Sequence, residues 1–179
     1  MDHLPICIDL QGKRTLVVGN GASAARKAEL LLRAGSDLTV VAPAIDDELA
    51  NLANDYEFDH RSTALTAEDL TGCVLVFGCS EDDTVNQQLC DLAADAGILV
   101  NVADKTENCE FIMPALVDRS PLLIAISSGG SSPLLVRMLK AQFETTIPAA
   151  YGRLAEFAGR YRDKIKAMVP NATRRRRFW

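Results

Sequence analysis

Histidine is almost missing from this sequence. His3 and His60 are the only two, and they stand far apart in the chain. That scarcity argues against a zinc centre, and no metal ligand set is expected. Cysteine is present but unpatterned: Cys7, Cys73, Cys79, Cys90 and Cys109 form no C-x-x-C pair. An odd count without framework spacing predicts reduced thiols and a cytoplasmic protein rather than a disulfide scaffold. No positively charged start leads into a long apolar stretch, so no secretory signal is expected. No apolar run is long enough to span a bilayer, and no membrane partner is predicted. An excess of positive charge is lacking too. Formal net charge is -5 and the pI is about 5.0, which gives no general attraction to nucleic acid or to an anionic membrane. The exception is Arg174-Arg175-Arg176-Arg177, a run that reads as a solvated tail.

What is there points to an α/β protein. The chain has 179 residues and is 48% hydrophobic, enough for one sizeable core plus an appendage. Close to its start, Leu16-Val17-Val18-Gly19-Asn20-Gly21-Ala22-Ser23-Ala24 reads as a buried strand, a glycine turn and the start of a helix. The pattern is G-x-G-x-x-A, with which a parallel sheet presents backbone N–H groups to a pyrophosphate. Gly19 allows the tight turn. Gly21 lets the main chain approach phosphate oxygens without a Cβ in the way. Ala24 keeps the helix close to the strand. A tight strand-to-helix turn that holds nothing has the same appearance.

Strands and helices then alternate. Strands are predicted at Thr15 to Val18, Leu38 to Ala42, Glu57 to Arg61, Val74 to Cys79 and Ile98 to Val102. Helices are predicted from Ser23 to Ala34, with Leu30, Leu31 and Ala34 on the apolar side, after Asp46-Asp47-Glu48, and from Thr84 to Ala96. Such alternation implies right-handed crossovers and a parallel sheet. Beyond Asp104 the pattern changes. Phe111 to Val117 and Leu122 to Ser127 read as a hairpin, with Pro114 limiting the first run. A helix opens at Pro133 and runs to about Thr145. After Pro148 a last amphipathic helix, Tyr151 to Met168, carries Leu154, Phe157, Ala158, Tyr161 and Ile165 on one side. These pieces are too small for a core of their own, so they are expected to pack on the sheet domain or on a second copy, which favours a homodimer.

In an open sheet of this kind the ligand sits outside the carboxyl ends of the strands. The acid that holds ribose hydroxyls at the end of the second strand is missing here, where Ala42-Pro43-Ala44 stands instead. This leaves the choice between NAD and NADP open and argues against S-adenosylmethionine. Asp104 is the one carboxylate at a strand end beside the expected nicotinamide position. A carboxylate there can accept a proton as hydride leaves, although a loop or cap aspartate looks the same. Ser127-Ser128-Gly129-Gly130-Ser131-Ser132-Pro133 is a second anion-binding candidate, or else a strand-to-helix turn with a serine N-cap.

Several motifs occur together and in order: Asp9-Leu10-Gln11-Gly12-Lys13, Val17-Val18-Gly19-Asn20-Gly21, Ala25-Arg26-Lys27, Val40-Val41-Ala42-Pro43, Asp82-Asp83-Thr84-Val85-Asn86, Asn101-Val102-Ala103-Asp104, Phe111-Ile112-Met113-Pro114 and Ile126-Ser127-Ser128-Gly129-Gly130-Ser131-Ser132-Pro133. Over essentially the whole chain this resembles the precorrin-2 dehydrogenase/sirohydrochlorin ferrochelatase module of siroheme synthase. The resemblance implies a Rossmann-type NAD-binding domain over residues 1–113, a dimerisation region over 114–147 and a helical domain over 148–179, assembled as a homodimer. It implies NAD-dependent oxidation of precorrin-2 to sirohydrochlorin, followed by insertion of Fe²⁺, the substrate metal, to give siroheme. The family's cofactor turn falls on Ala22 and Ser23, next to the Gly19 and Gly21 of the glycine pattern, and its second-strand contact on Pro43 and Ala44. Its aspartate acting in both reactions falls on Asp104, and its phosphorylated serine on Ser128.

Many members are fused to a uroporphyrinogen III methyltransferase; no such half is read in this sequence, which is expected to be either a separate protein or a fragment of a fusion. The family commonly has three glycines where this chain has Gly19-Asn20-Gly21, and asparagine is expected to tolerate a positive φ there. For the many carboxylates of the tetrapyrrole, the candidate contacts are Ser128, Gly129, Gly130, Ser131, Lys105, Arg119 and Arg137. Two other readings use the same residues: a non-enzymatic NAD-sensing dimer, and a chelatase without oxidation.

Overall fold

The computed structural model describes residues 3–103, 105 and 109–178. Among these the chain forms two compact units, divided between Ile112 and Met113.

The first unit is a five-stranded parallel sheet with helices between the strands. The strands are β1 (Arg14–Gly19), β2 (Asp37–Val41), β3 (Asp59–Arg61), β4 (Cys73–Cys79) and β5 (Leu99–Val102), in the order β3-β2-β1-β4-β5. The expected Rossmann-type sheet is borne out. Strand β1 is central because it can be buried on both faces: from Thr15 to Gly19 every residue is buried. It pairs with β2 on one side, Val17 against Val40, and with β4 on the other, Val17 against Phe77. Strand β3, which is exposed throughout, closes one edge.

Helix α1 (Gly21–Arg33) buries Ala24, Ala25, Ala28, Leu31 and Leu32. Small residues dominate the buried side of its first turns, so the helix lies close to the sheet. Of the apolar side predicted for it, Leu31 is buried, but Leu30 is only half-buried and Ala34 is exposed. Helix α2 (Asp47–Leu52) starts where the acidic cluster predicts, with Asp46 Oδ1 accepting the Leu49 N–H at 2.9 Å. Helix α3 (Asp83–Ala96) is capped by Asp82 and ends on Gly97 in the left-handed conformation. Leu16, Val18, Val76, Leu89 and Val102 lie in the core between sheet and helices.

The second unit is a hairpin and three helices. Strands β6 (Ala115–Arg119) and β7 (Leu122–Ile126) pair antiparallel, as expected, and β6 begins directly after Pro114. Helix α4 (Pro133–Thr146) has Pro133 in its first turn and Ser132 as its N-cap. Helix α5 (Ala150–Met168) packs Gly152 onto the hairpin turn, where a Cβ would lie 2.4 Å from the Arg119 carbonyl oxygen. The arginine run is not a loose tail: it lies in a further helix, α6 (Ala172–Phe178). Little of this unit is buried within the chain. Leu134, Met138, Leu154, Phe157 and Tyr161 all remain exposed, between 43% and 68%.

Candidate functional site

The carboxyl ends of β1, β2, β4 and β5 form the rim on which a ligand of this sheet would lie. The glycine turn stands at its centre. Gly19 has φ +120° and Gly21 has φ +82°, both unfavourable for a residue with a side chain. The two glycines answer different needs. A Cβ on Gly19 would lie 2.3 Å from the Cys79 carbonyl carbon, so Gly19 lets β1 and β4 end side by side. A Cβ on Gly21 would meet nothing within 4 Å. Gly21 therefore leaves open space above the start of α1, where a phosphate would approach. That opening turn carries no acidic residue, and the N-cap side chain makes no capping bond to it. Its N–H groups and the helix dipole thus suit an anion. Ala22 is exposed and Ser23 partly exposed at the same end. The residues present fit a dinucleotide.

Asn20 departs from its expected conformation. It has φ -136° and ψ 179°, extended backbone that any residue adopts. The positive angles fall on the flanking glycines. Its side chain instead reaches across the rim, and Oδ1 accepts the Asp46 N–H at 3.2 Å. This bond ties the glycine turn to the loop after β2, which contains the exposed Pro43 and Ala44. The sequence reading missed this role, for which the only signal was an amide side chain between two glycines. Asn86 is a second omission. Buried at 4%, it accepts the Ser80 N–H at 3.2 Å and donates to the Ser80 carbonyl at 2.8 Å, which fixes the end of β4.

Charge around the end of β2 is negative. Asp46, Asp47 and Glu48 follow it directly. Arg61, on neighbouring β3, is paired with the buried Asp69 carboxylate. Burial alone would raise the Asp69 pKa, but hydrogen bonds from Thr66 and the Arg61 charge outweigh it and hold the carboxyl below its ordinary range. His60 sits beside Arg61, and its Nε2 lies 2.9 Å from the Ala42 carbonyl.

Asp104 lies outside the described residues. Its neighbour Ala103 is anchored, with its N–H donating to the Gly78 carbonyl at 2.8 Å. Lys105 pairs with Asp83 at 2.6 Å. In the second unit, Arg119 is bound to its own surroundings: its guanidinium donates to the carbonyls of Ile147, Asp118 and Glu144 at 2.7 to 3.1 Å. The serine loop is partly closed on itself. Ser128 Oγ accepts the Ser132 N–H at 2.9 Å, the Ser128 carbonyl accepts the Ser131 N–H at 3.1 Å, and Ser127 Oγ accepts the Gly129 N–H at 3.1 Å. Gly130 has φ +85° and open space where a Cβ would stand, and Arg137 is exposed on α4. Among the described residues, no group of three His, Cys, Asp or Glu side chains is arranged to hold a metal ion.

A family profile described as "Putative NAD(P)-binding" matches residues 6–115, the sheet unit with its glycine turn. The chain belongs to that NAD(P)-binding family. A second profile, the sirohaem synthase dimerisation region, matches residues 150–179. That label falls on a stretch that the sequence reading assigned to the helical domain. Siroheme synthase of Pseudomonas entomophila is 47% identical over 179 residues, which are 100% of this chain and 39% of that protein. Those of Azotobacter vinelandii and Nitrosococcus oceani are 46% and 43% identical, with 39% and 38% of their lengths covered. The chain thus spans well under half the length of these relatives. A solved precorrin-2 dehydrogenase superposes with a TM-score of 0.78 at 26% identity, over 98% of this chain and 86% of that one. The resemblance to the siroheme synthase module is borne out. Among the described residues, no helix is long and apolar enough to cross a membrane.

Proposed function

We propose that this chain oxidises precorrin-2 to sirohydrochlorin with NAD and then inserts Fe²⁺, a substrate, to give siroheme. The observation that carries the reading is Gly21, at positive φ with open space above the α1 N-terminus, in a chain that matches siroheme synthases over its whole length.

Gly19, Gly21, Ala22 and Ser23 hold the pyrophosphate, and Pro43 and Ala44 flank the adenosine ribose. When bound, NAD supplies the acceptor for hydride. NAD rather than NADP is favoured by charge. A 2′-phosphate would face Asp46, Asp47 and Glu48, and the cation on the neighbouring strand, Arg61, is already neutralised by Asp69. Asp104 takes the proton released as the macrocycle is oxidised. In metal insertion the same carboxylate accepts a pyrrole N–H proton, and the ring nitrogens coordinate the iron.

Ser128, Gly129, Gly130, Ser131, Lys105, Arg119 and Arg137 are retained as tetrapyrrole contacts. Of these, Arg119 and Lys105 already have partners of their own. Ser128 is retained as the modified serine. The chain acts as a homodimer, with residues 1–113, 114–147 and 148–179 as its cofactor, dimerisation and helical segments. The greater length of its relatives supports a fused methyltransferase in a parent protein. Cysteine spacing without a C-x-x-C pair supports the cytoplasm as its compartment.

The test is an anaerobic assay with precorrin-2, followed by absorbance with and without NAD, then with Fe²⁺ or Co²⁺. NADH and sirohydrochlorin should appear together, and the metal should convert the product. Cofactor binding without NADH formation would show a sensor instead. Metal insertion without NADH formation would show a chelatase alone.

A further inference from the structure

One side chain on the rim serves no need of the element that carries it. Asn20 is the N-cap residue of α1, and asparagine there ordinarily accepts a hydrogen bond from the first turn of its helix. Asn20 makes no such bond. Its backbone is extended, so the conformation of the turn does not call for asparagine either. The carboxamide is turned to a distant partner: Oδ1 accepts the Asp46 N–H at 3.2 Å, across 26 positions of sequence. Asp46 is itself fixed from the other side. It is the N-cap residue of α2, its Oδ1 accepting the Leu49 N–H at 2.9 Å and its carbonyl accepting the Ala50 N–H at 2.8 Å. Helices α1 and α2 also pack on each other. One carboxamide thus joins the starts of two packed helices, and with them the glycine turn and the loop that contains Pro43 and Ala44. The same diversion leaves the first-turn N–H groups of α1 without a side-chain acceptor, open to an anion.

We propose that Asn20 is a positioning residue for the dinucleotide, holding the pyrophosphate turn and the ribose loop at a fixed spacing so that both are engaged by one cofactor molecule at once. The inference rests on the cofactor reading above and adds the residue that joins its two halves into one site. The physical reason is entropic. A ligand that bridges two segments loses affinity to the ordering of those segments unless the chain has ordered them beforehand. A ligand that touches only one segment gains nothing from the link. Asn20 therefore acts on ligands that span the rim and not on their fragments.

The test compares the whole chain with Asn20→Ala and Asn20→Gly, both compatible with the extended backbone at that position. Calorimetric titration should give NAD and ADP affinities about five- to tenfold weaker in both variants, the size expected for loss of one hydrogen bond. Pyrophosphate reaches the turn alone, and adenosine reaches the loop alone. Their inhibition constants in competition with NAD should agree within about twofold between variants and unaltered chain. In precorrin-2 turnover, KM for NAD should rise in the same proportion while kcat is kept. Hydrogen exchange at the Asp46 amide should be faster in the variants. Unchanged NAD affinity, or an Asp46 amide that exchanges as before, would overturn the proposal. So would a loss shared equally by NAD, pyrophosphate and adenosine, or failure of both variants to fold, since Asn20 would then only support the local structure. If the unaltered chain binds neither NAD nor ADP, the cofactor reading itself fails and the proposal falls with it. If it binds NAD but does not turn over precorrin-2, the binding comparison still decides the role of Asn20.

Discussion

At the scale of single residues, Gly21 and Gly19 make opposite demands although both have positive φ. Space above Gly21 is open, and the proposal places a pyrophosphate there. Gly21→Asp puts a charge and a side chain in that space. NAD affinity should fall by about a hundredfold or more while the fold survives, which calorimetric titration and a thermal melt would check together. Gly19 meets the backbone of Cys79 instead. Gly19→Ala should lower stability by about 2 kcal/mol or more, and a denaturant midpoint would report it even without cofactor. Asp104→Ala should abolish NADH formation and leave NAD affinity nearly unchanged. Normal turnover in that variant would remove Asp104 from the proton-transfer role.

At the scale of elements, the turn of 3-10 helix over Ala67–Leu70 shows how a loop acquires a fixed shape. Asp69 receives the Thr66 N–H at 2.8 Å and the Thr66 hydroxyl at 2.9 Å, and it pairs with Arg61 across to β3. Asp69→Ala leaves the Thr66 N–H without that acceptor and should cost about 2 kcal/mol. The same carboxylate fixes the direction of a pH effect. Its pKa is lower in the folded chain than in the unfolded one, so the unfolded state binds more protons in the acid range. Its contribution to stability is therefore complete above the unfolded carboxylate value and is lost as pH falls through the lower folded value. Urea melts across an acid series should show that loss in the unaltered chain and a flatter profile in Asp69→Ala.

At the scale of the whole molecule, the exposed apolar residues of the second unit call for a cover. The rings of Phe157 and Tyr161 lie 4.8 Å apart, tilted by 47°, and with Ile165, Met168 and Phe178 they line an apolar hollow. Sedimentation should give a dimer of the 19.4 kDa chain. Met138→Glu tests the segment that the sequence reading named for dimerisation. Phe157→Glu tests the segment that the family profile names. A shift to monomer in one and not the other would say which helix carries the contact.

Alternating apolar runs and turn residues made the strands legible, because a doubly buried parallel strand needs an unbroken run such as Leu16-Val17-Val18. The G-x-G-x-x-A spacing likewise located the glycine turn, since a left-handed corner needs glycine wherever it occurs. Some things could not be read locally. The bond from Asn20 to Asp46 joins residues on different strand ends. Arg119, set down as a substrate contact, has its guanidinium on carbonyls at the end of α4, an environment built from distant parts of the chain. The arginine run looks like a tail in the sequence because what fixes it, the bonds of Arg175 to the Val169 and Pro170 carbonyls, forms only once α5 has ended and the chain has turned. Sequence by itself determined the sheet, its helices and the glycine corner, since periodicity and backbone sterics act over a few neighbouring residues. Tertiary structure alone decided which polar and charged groups find partners, because that depends on which distant segments the fold brings within hydrogen-bonding or Coulombic reach.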